Sequence, residues 1–157
     1  MDYFKINGLK KLNGLVEVSG AKNAVLPLMA AAILNRGNIK ISNVPTLSDS
    51  ITMSKLLEEM GAKVQFSSSN SISVDSSSLN KPFAPYDLVK TMRASFYVLG
   101  PLIARFGEAK VSLPGGCAWG PRPVDFHLDG LKALGVKISI ENGYVVADGR
   151  SLKGNKI

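Results

Sequence analysis

The chain carries one cysteine, Cys117, in the stretch LPGGCAWGPRPVDFH at 113–127. Pro114, Gly115 and Gly116 precede it and Gly120, Pro121 and Pro123 follow, which breaks any helix or ladder strand around the thiol. Such a segment runs over the surface, where binding and catalytic groups concentrate. A thiol works as nucleophile or acid according to its ionised fraction, which cations raise, and Arg122 and His127 share the segment. A solitary cysteine is often a small buried hydrophobe. The irregular loop favours the reactive reading over that one. A metal centre has no support, because one Cys and one His offer no ligand spacing.

A second set of polar residues opens two apolar runs. Lys22 and Asn23 lead into 24–34, and Arg93 leads into 94–104. The start of a helix presents unpaired N–H groups and a positive dipole end, so two such starts with added cations form a natural anion site. Lys22 also has the plain reading of a solvated surface lysine, whereas Arg93 lies between Met92 and Ala94 in a segment bound for the interior. Nineteen Lys and Arg against twelve Asp and Glu give a net charge of +7, which attracts anionic partners. The basic residues are scattered, with no basic run and no aromatic-interleaved RNA motif, so nucleic acid is disfavoured.

These groups must be positioned by a core. At 157 residues, 45% hydrophobic and 20% charged, the chain suits one globular domain rather than a disordered segment. Its order of elements runs twice. The first copy has an apolar helix (22–35), Gly37, a strand (38–42), a Pro-containing loop, an amphipathic helix ending at Gly61 and a hairpin closing at Asp75. The second has an apolar helix (88–106), Gly107, a strand (109–113), the Cys117 loop, a helix ending near Gly135 and a hairpin closing at Asp148. Internal repetition of this kind decides architecture.

Local signals support each element. Met53, Leu56, Leu57 and Met60 recur at helical spacing, with Ser48 as the expected N-cap and Gly61 as the stop. Pro123 is expected to begin the later helix, whose face is Val124, Leu128, Leu131 and Leu134. Ile138 and Ile140 alternate with polar residues before Asn142-Gly143, a strong hairpin turn. The runs 24–34 and 94–104 are apolar on nearly every side and are expected to be buried all round. Both fall short of the about 20 residues a bilayer requires, so no membrane span is expected. The N-terminus, with Asp2 and Lys5 early, resembles neither a secretory signal nor a transit peptide. One cysteine allows no intramolecular disulfide, and a cytoplasmic location is expected.

SGAKNA (19–24), APYDLVKTMRAS (84–95) and LPGGCAWGPRPVDFH (113–127) together resemble the enolpyruvyltransferases, and the likeness spans the chain in register. The resemblance implies an α/β (α+β) fold, an inside-out α/β barrel built of βαβαββ repeats. Two of the expected units would be present here, 21–81 and 82–157, in a single incomplete domain, with 1–20 a segment that in longer relatives joins the other domain. It further implies transfer of the enolpyruvyl group of phosphoenolpyruvate to the 3-hydroxyl of UDP-N-acetylglucosamine, through a tetrahedral intermediate, with no metal or organic cofactor. That step belongs to peptidoglycan synthesis, and hence to cell wall biogenesis, cell shape and division.

By the same resemblance, Lys22 and Asn23 match phosphoenolpyruvate-binding positions and Arg93 a position that binds the nucleotide sugar. Cys117 matches the loop cysteine assigned as proton donor, which fosfomycin alkylates. Arg122, Pro123, Val124, Asp125 and Phe126 match a nucleotide-sugar segment, Arg122 lying near the phosphate as well, and His127 matches a further loop position. Tyr97, Trp119 and Phe126 depart from side chains common in the family beside these motifs. The family's general base is an aspartate of the other domain, so a C-terminal part of the enzyme is the expected missing partner. Two alternatives stand beside this reading: a noncatalytic anion-binding module, and the sibling activity on shikimate 3-phosphate, which lacks the PGGC loop.

Overall fold

Asn142 and Gly143 both take positive φ, 52° and 80°, as a two-residue hairpin turn demands. They join β6 (Lys137–Glu141) to β7 (Tyr144–Asp148), which pair antiparallel. The earlier hairpin uses a three-residue turn, 68–70, in which Asn70 at φ 50° leads from β2 (Lys63–Ser67) into β3 (Ser71–Asp75). Around these hairpins the computed structural model describes residues 3–8, 11, 13–115 and 123–156.

Two antiparallel ladders are built alike. β3 lies between β2 and β1 (Asn38–Ile41), and β7 lies between β6 and β5 (Glu108–Ser112). Their registers correspond, since Asp75 faces Asn38 and Lys63 while Asp148 faces Glu108 and Lys137. The closing bonds correspond too: the Ser76 N–H donates to the Gly37 carbonyl, and the Gly149 N–H to that of Gly107. A short β4 (Phe83–Ala84) adds a parallel edge to β5. Residues 82–156 thus follow the strand order of a βαβαββ unit, whereas the earlier copy has no opening strand among its described residues. The sheets have three and four strands, and among the described residues they do not close into a barrel.

Helices cover one face of each ladder. α2 (Ser48–Glu59) buries Met53, Leu56 and Leu57 completely, together with Met60 at its end, as the periodicity predicts. Burying each such side chain contributes about 1.5–3 kcal/mol. α5 (Asp125–Ala133) turns Val124 and Leu128 inward. α1 (Lys22–Ala31) packs on α2 and on the 3-10 segment Arg93–Val98, and α4 (Leu99–Phe106) packs on β5.

Several expectations are corrected. Leu47, not Ser48, holds the cap position of α2 and makes no side-chain cap bond; the Ser48 carbonyl instead accepts from the Thr52 hydroxyl inside the helix. α5 starts at Asp125 after Val124, two residues past Pro123. The single helix expected over 88–106 is three pieces, α3 (Tyr86–Val89), the 3-10 segment and α4, because Met92 is extended at φ −148°. The helix expected over 22–35 is α1 followed by the 3-10 turn Ala32–Leu34. It is not buried all round: Val25, Leu26, Met29 and Ala30 face the core, while Ala24, Pro27, Leu28 and Ala31 face outward. Uniform apolarity marks a helix for burial but does not say how many sides this chain covers.

Candidate functional site

Gly20 explains how Lys22 and Asn23 come to open a helix. A Cβ there would lie 1.7 Å from the Asn43 carbonyl oxygen, so only glycine passes the 43–44 corner. Its N–H donates to Asn43 Oδ1 at 3.0 Å, and Asn43 itself holds φ 53°. The chain then enters α1 through extended Ala21, whose carbonyl accepts from the N–H groups of Ala24 and Val25. Lys22 and Asn23 therefore sit in the first turn, exposed, at the positive end of the helix.

Arg93 reaches the same region from the second copy. The kink at Met92 places it first in the 3-10 segment, and its Nη2 donates to the Pro123 carbonyl at 3.0 Å. Nearby, a Cβ on Gly115 would come 2.9 Å from the Lys90 carbonyl oxygen, so the backbones touch there. The segment 90–93 thus contacts both Gly115 and Pro123, the described residues on either side of 116–122. Cys117 and Arg122 lie outside the described residues.

A cavity of about 540 Å³ joins these groups, lined by Lys22, Asn23, Asp49, Lys90, Arg93, Gly115, Val124 and His127 among others. Lys22 Nζ lies 2.7 Å from Asp49 Oδ2. Lys90 Nζ lies 2.5 Å from Asp87 Oδ1, a bond that raises the lysine above its ordinary value. The His127 ring stands 6.4 Å from that of Phe96. Of the residues expected from sequence, Lys22, Asn23, Arg93, Val124 and His127 border the cavity and Pro123 is tied to it through its carbonyl. Asp125 and Phe126 do not line it, and Phe126 is 89% exposed.

Asp49 and Lys90 are cavity residues the sequence reading missed. Lys90 could have been found from its place three residues before Arg93, inside the same motif. Asp49 carried no such signal, because only the fold brings α2 beside α1.

Three cations, a helix start and a polar rim suit a small dianion such as a phosphate ester. Among the described residues no cluster of three His, Cys, Asp or Glu could hold a metal, and no helix is long and apolar enough to cross a membrane.

The sequence profile of the family described as EPSP synthase (3-phosphoshikimate 1-carboxyvinyltransferase) matches residues 6–157. The chain belongs to this enolpyruvyltransferase family. Over all 157 residues it is 54% identical to a UDP-N-acetylglucosamine 1-carboxyvinyltransferase of Dichelobacter nodosus and 53% identical to one of Campylobacter hominis. It spans 38% and 37% of the lengths of those two relatives. Its fold is similar to the crystal structure of the enolpyruvyl transferase NikO from Streptomyces tendae, with a TM-score of 0.75 and 26% identity, over 90% of this chain and 31% of that one. In this enolpyruvyltransferase chain Lys22, Asn23 and Arg93 at the helix starts border one cavity with Gly115, Val124 and His127 from the described ends of the 113–127 motif.

Proposed function

We propose that this chain supplies part of the site that transfers the enolpyruvyl group of phosphoenolpyruvate to the 3-hydroxyl of UDP-N-acetylglucosamine, releasing phosphate. The observation that carries this is the convergence of Lys22, Asn23, Arg93 and His127 on one cavity. Identity above one half to two carboxyvinyltransferases named for that nucleotide sugar favours it over shikimate 3-phosphate as acceptor.

In the reaction the sugar hydroxyl adds to the central carbon of phosphoenolpyruvate as the methylene carbon gains a proton. The tetrahedral adduct then loses phosphate and returns a proton, restoring the double bond. Lys22, Asn23 and Arg122 hold the phosphoenolpyruvate. Arg93, Arg122, Pro123, Val124, Asp125 and Phe126 serve the nucleotide sugar, with His127 beside them, and Cys117 delivers the proton. An acid positioned at the methylene carbon and cations around the phosphate answer two needs of this chemistry. The deprotonating group belongs to chain beyond these residues. The units are 21–81 and 82–157 of one incomplete domain, with 1–20 reserved for contact with the other domain. The setting is the cytoplasmic, committing step of peptidoglycan synthesis, with fosfomycin as an inhibitor acting on Cys117.

Calorimetric titration with phosphoenolpyruvate and with UDP-N-acetylglucosamine, followed by a phosphate-release assay, tests this reading. Binding with little or no turnover by the 157-residue chain is expected. Failure to bind either ligand, or preference for shikimate 3-phosphate, would overturn it.

A further inference from the structure

Lys22 Nζ and Asp49 Oδ2 stand 2.7 Å apart, with the Asp49 side chain 28% exposed and the Lys22 side chain 49% exposed. Asp49 lies in the first turn of α2, and both residues border the same cavity. The second copy has a parallel link: Arg93, first in its 3-10 segment, donates to the Pro123 carbonyl just before α5. In each copy a cation at a helical start is tied to the chain at the head of the helix that follows the copy's strand, α2 after β1 and α5 after β5. Among the described residues the tie is an ion pair in the first copy and a bond to a carbonyl in the second.

We infer that Asp49 is a positioning residue, which holds the Lys22 ammonium at the cavity rim so that its remaining N–H groups face an incoming phosphate. This rests on the anion-site reading above. Lysine is a flexible four-carbon stem with three donors. Engaging one donor with Asp49 leaves two for a ligand and removes most of the stem's freedom before binding. The carboxylate's own charge opposes an anion, so the two effects have opposite signs. A net gain in binding requires the orienting effect to exceed that repulsion, and the binding measurement reads which is larger.

Two measurements decide. Relaxation of the Lys22 side-chain 15Nζ in the ligand-free chain reads positioning directly: it should be restrained in the unsubstituted protein and as mobile as exposed Lys40 after Asp49→Ala. Titration with inorganic phosphate and with phosphoenolpyruvate, followed through the Lys22 and Asn23 amides, reads the consequence. Asp49→Ala should weaken binding roughly tenfold, as loss of an orienting partner does. Asp49→Asn keeps an acceptor and a good helix-start residue and should recover part of the loss. Adding Asp49→Ala to Lys22→Gln should cost nothing more, because the aspartate acts through the lysine.

Equal or tighter phosphate binding by Asp49→Ala overturns the inference, as does a Lys22 ammonium equally mobile in both proteins. An unsubstituted chain with restrained Lys22 that binds no phosphate overturns the anion-site reading and, with it, any role for the tether in binding. The amide spectrum of each variant establishes that it is folded.

Discussion

The Arg105 guanidinium caps the carbonyl of Ile33, donating from Nη1 at 2.8 Å across 72 residues of sequence. The same nitrogen serves the Asn35 carbonyl at 2.8 Å, while Nη2 serves those of Ser76 and Leu79 at 2.8 and 3.4 Å. One side chain at the end of α4 thus satisfies the frayed end of the first helical run and the turn after β3, joining the two copies. Burial, and the charge of Arg36, lower its pKa below the ordinary arginine value. Hydrogen bonds to a charged group contribute more than neutral ones, so Arg105→Ala should destabilise the protein by roughly 2–4 kcal/mol. Arg105→Lys should recover less than half, since a point charge cannot reproduce the planar fork. Urea midpoints at neutral pH provide the measurement, and an alanine variant of undiminished midpoint would refute the clasp.

Asp148 should contribute to the acid limb of stability. Side-chain and backbone hydrogen bonds from Arg150 hold its carboxyl far below the ordinary 3.8, and hydrogen bonds from Ser77 lower Asp75 at the equivalent strand end. Both pKa values are depressed by folding, so their contribution is present above the ordinary value. It is lost as pH falls through the lower folded values. The stability difference between the unsubstituted protein and Asp148→Asn should therefore be largest at neutral pH and shrink below about pH 4. Thermal melts from pH 7 to pH 2 test this, and a gap that stays constant with pH contradicts it.

Much of the repeat is legible in residues that mark backbone geometry. Gly61, Gly107 and Gly135 all take positive φ where helices end, and Asn142-Gly143 turns the last hairpin. The Arg105 clasp was not legible, because its acceptors are carbonyls of irregular backbone, and any residue supplies a carbonyl. Asp49 was hidden for a related reason: its partner is 27 positions away and on another helix. The break at Met92 is not legible, because apolar continuity over 88–106 does not reveal one extended residue. The polar helix starts are legible as well: the cations Lys22 and Arg93 and the amide Asn23 stand at the heads of apolar runs, a position visible in sequence.

Gly20 should be the least replaceable residue of the SGAKNA motif. Gly20→Ala must move the Asn43 carbonyl, which is backbone and cannot swing aside. Loss of about 1–3 kcal/mol follows, with the N-terminal turn of α1 displaced and phosphoenolpyruvate binding weakened in step. Melting curves combined with the amide shifts of Lys22 and Asn23 detect both effects. A variant with native shifts and unaltered melting would show that the corner yields easily.

The Cys117 thiol should be alkylated at neutral pH faster than a free cysteine of pKa about 8.5, because Arg122 and His127 stand on its own segment. Arg122→Gln should slow the reaction by lowering the thiolate fraction. Rates of N-ethylmaleimide addition from pH 5 to pH 9 supply the test. A profile matching that of a simple thiol, unchanged in Arg122→Gln, excludes an electropositive setting.

The outward side of α1 should respond to substitution quite differently from its inward side, although both are apolar. Leu28 is 53% exposed and Met29, its neighbour, is fully buried. With Leu34 and Tyr97 at 56% and 46% exposure, Leu28 belongs to the apolar surface left outside the core. Exposed apolar patches drive association more than they contribute to the stability of the fold that bears them. Leu28→Lys should change stability by no more than about 0.5 kcal/mol and reduce self-association in sedimentation velocity. Met29→Lys buries an unpaired charge among α1, α2 and the 3-10 segment, and should prevent folding at ordinary temperature. If both lysine variants unfold alike, the outward side is not free of packing, and the division of α1 into two unlike sides fails.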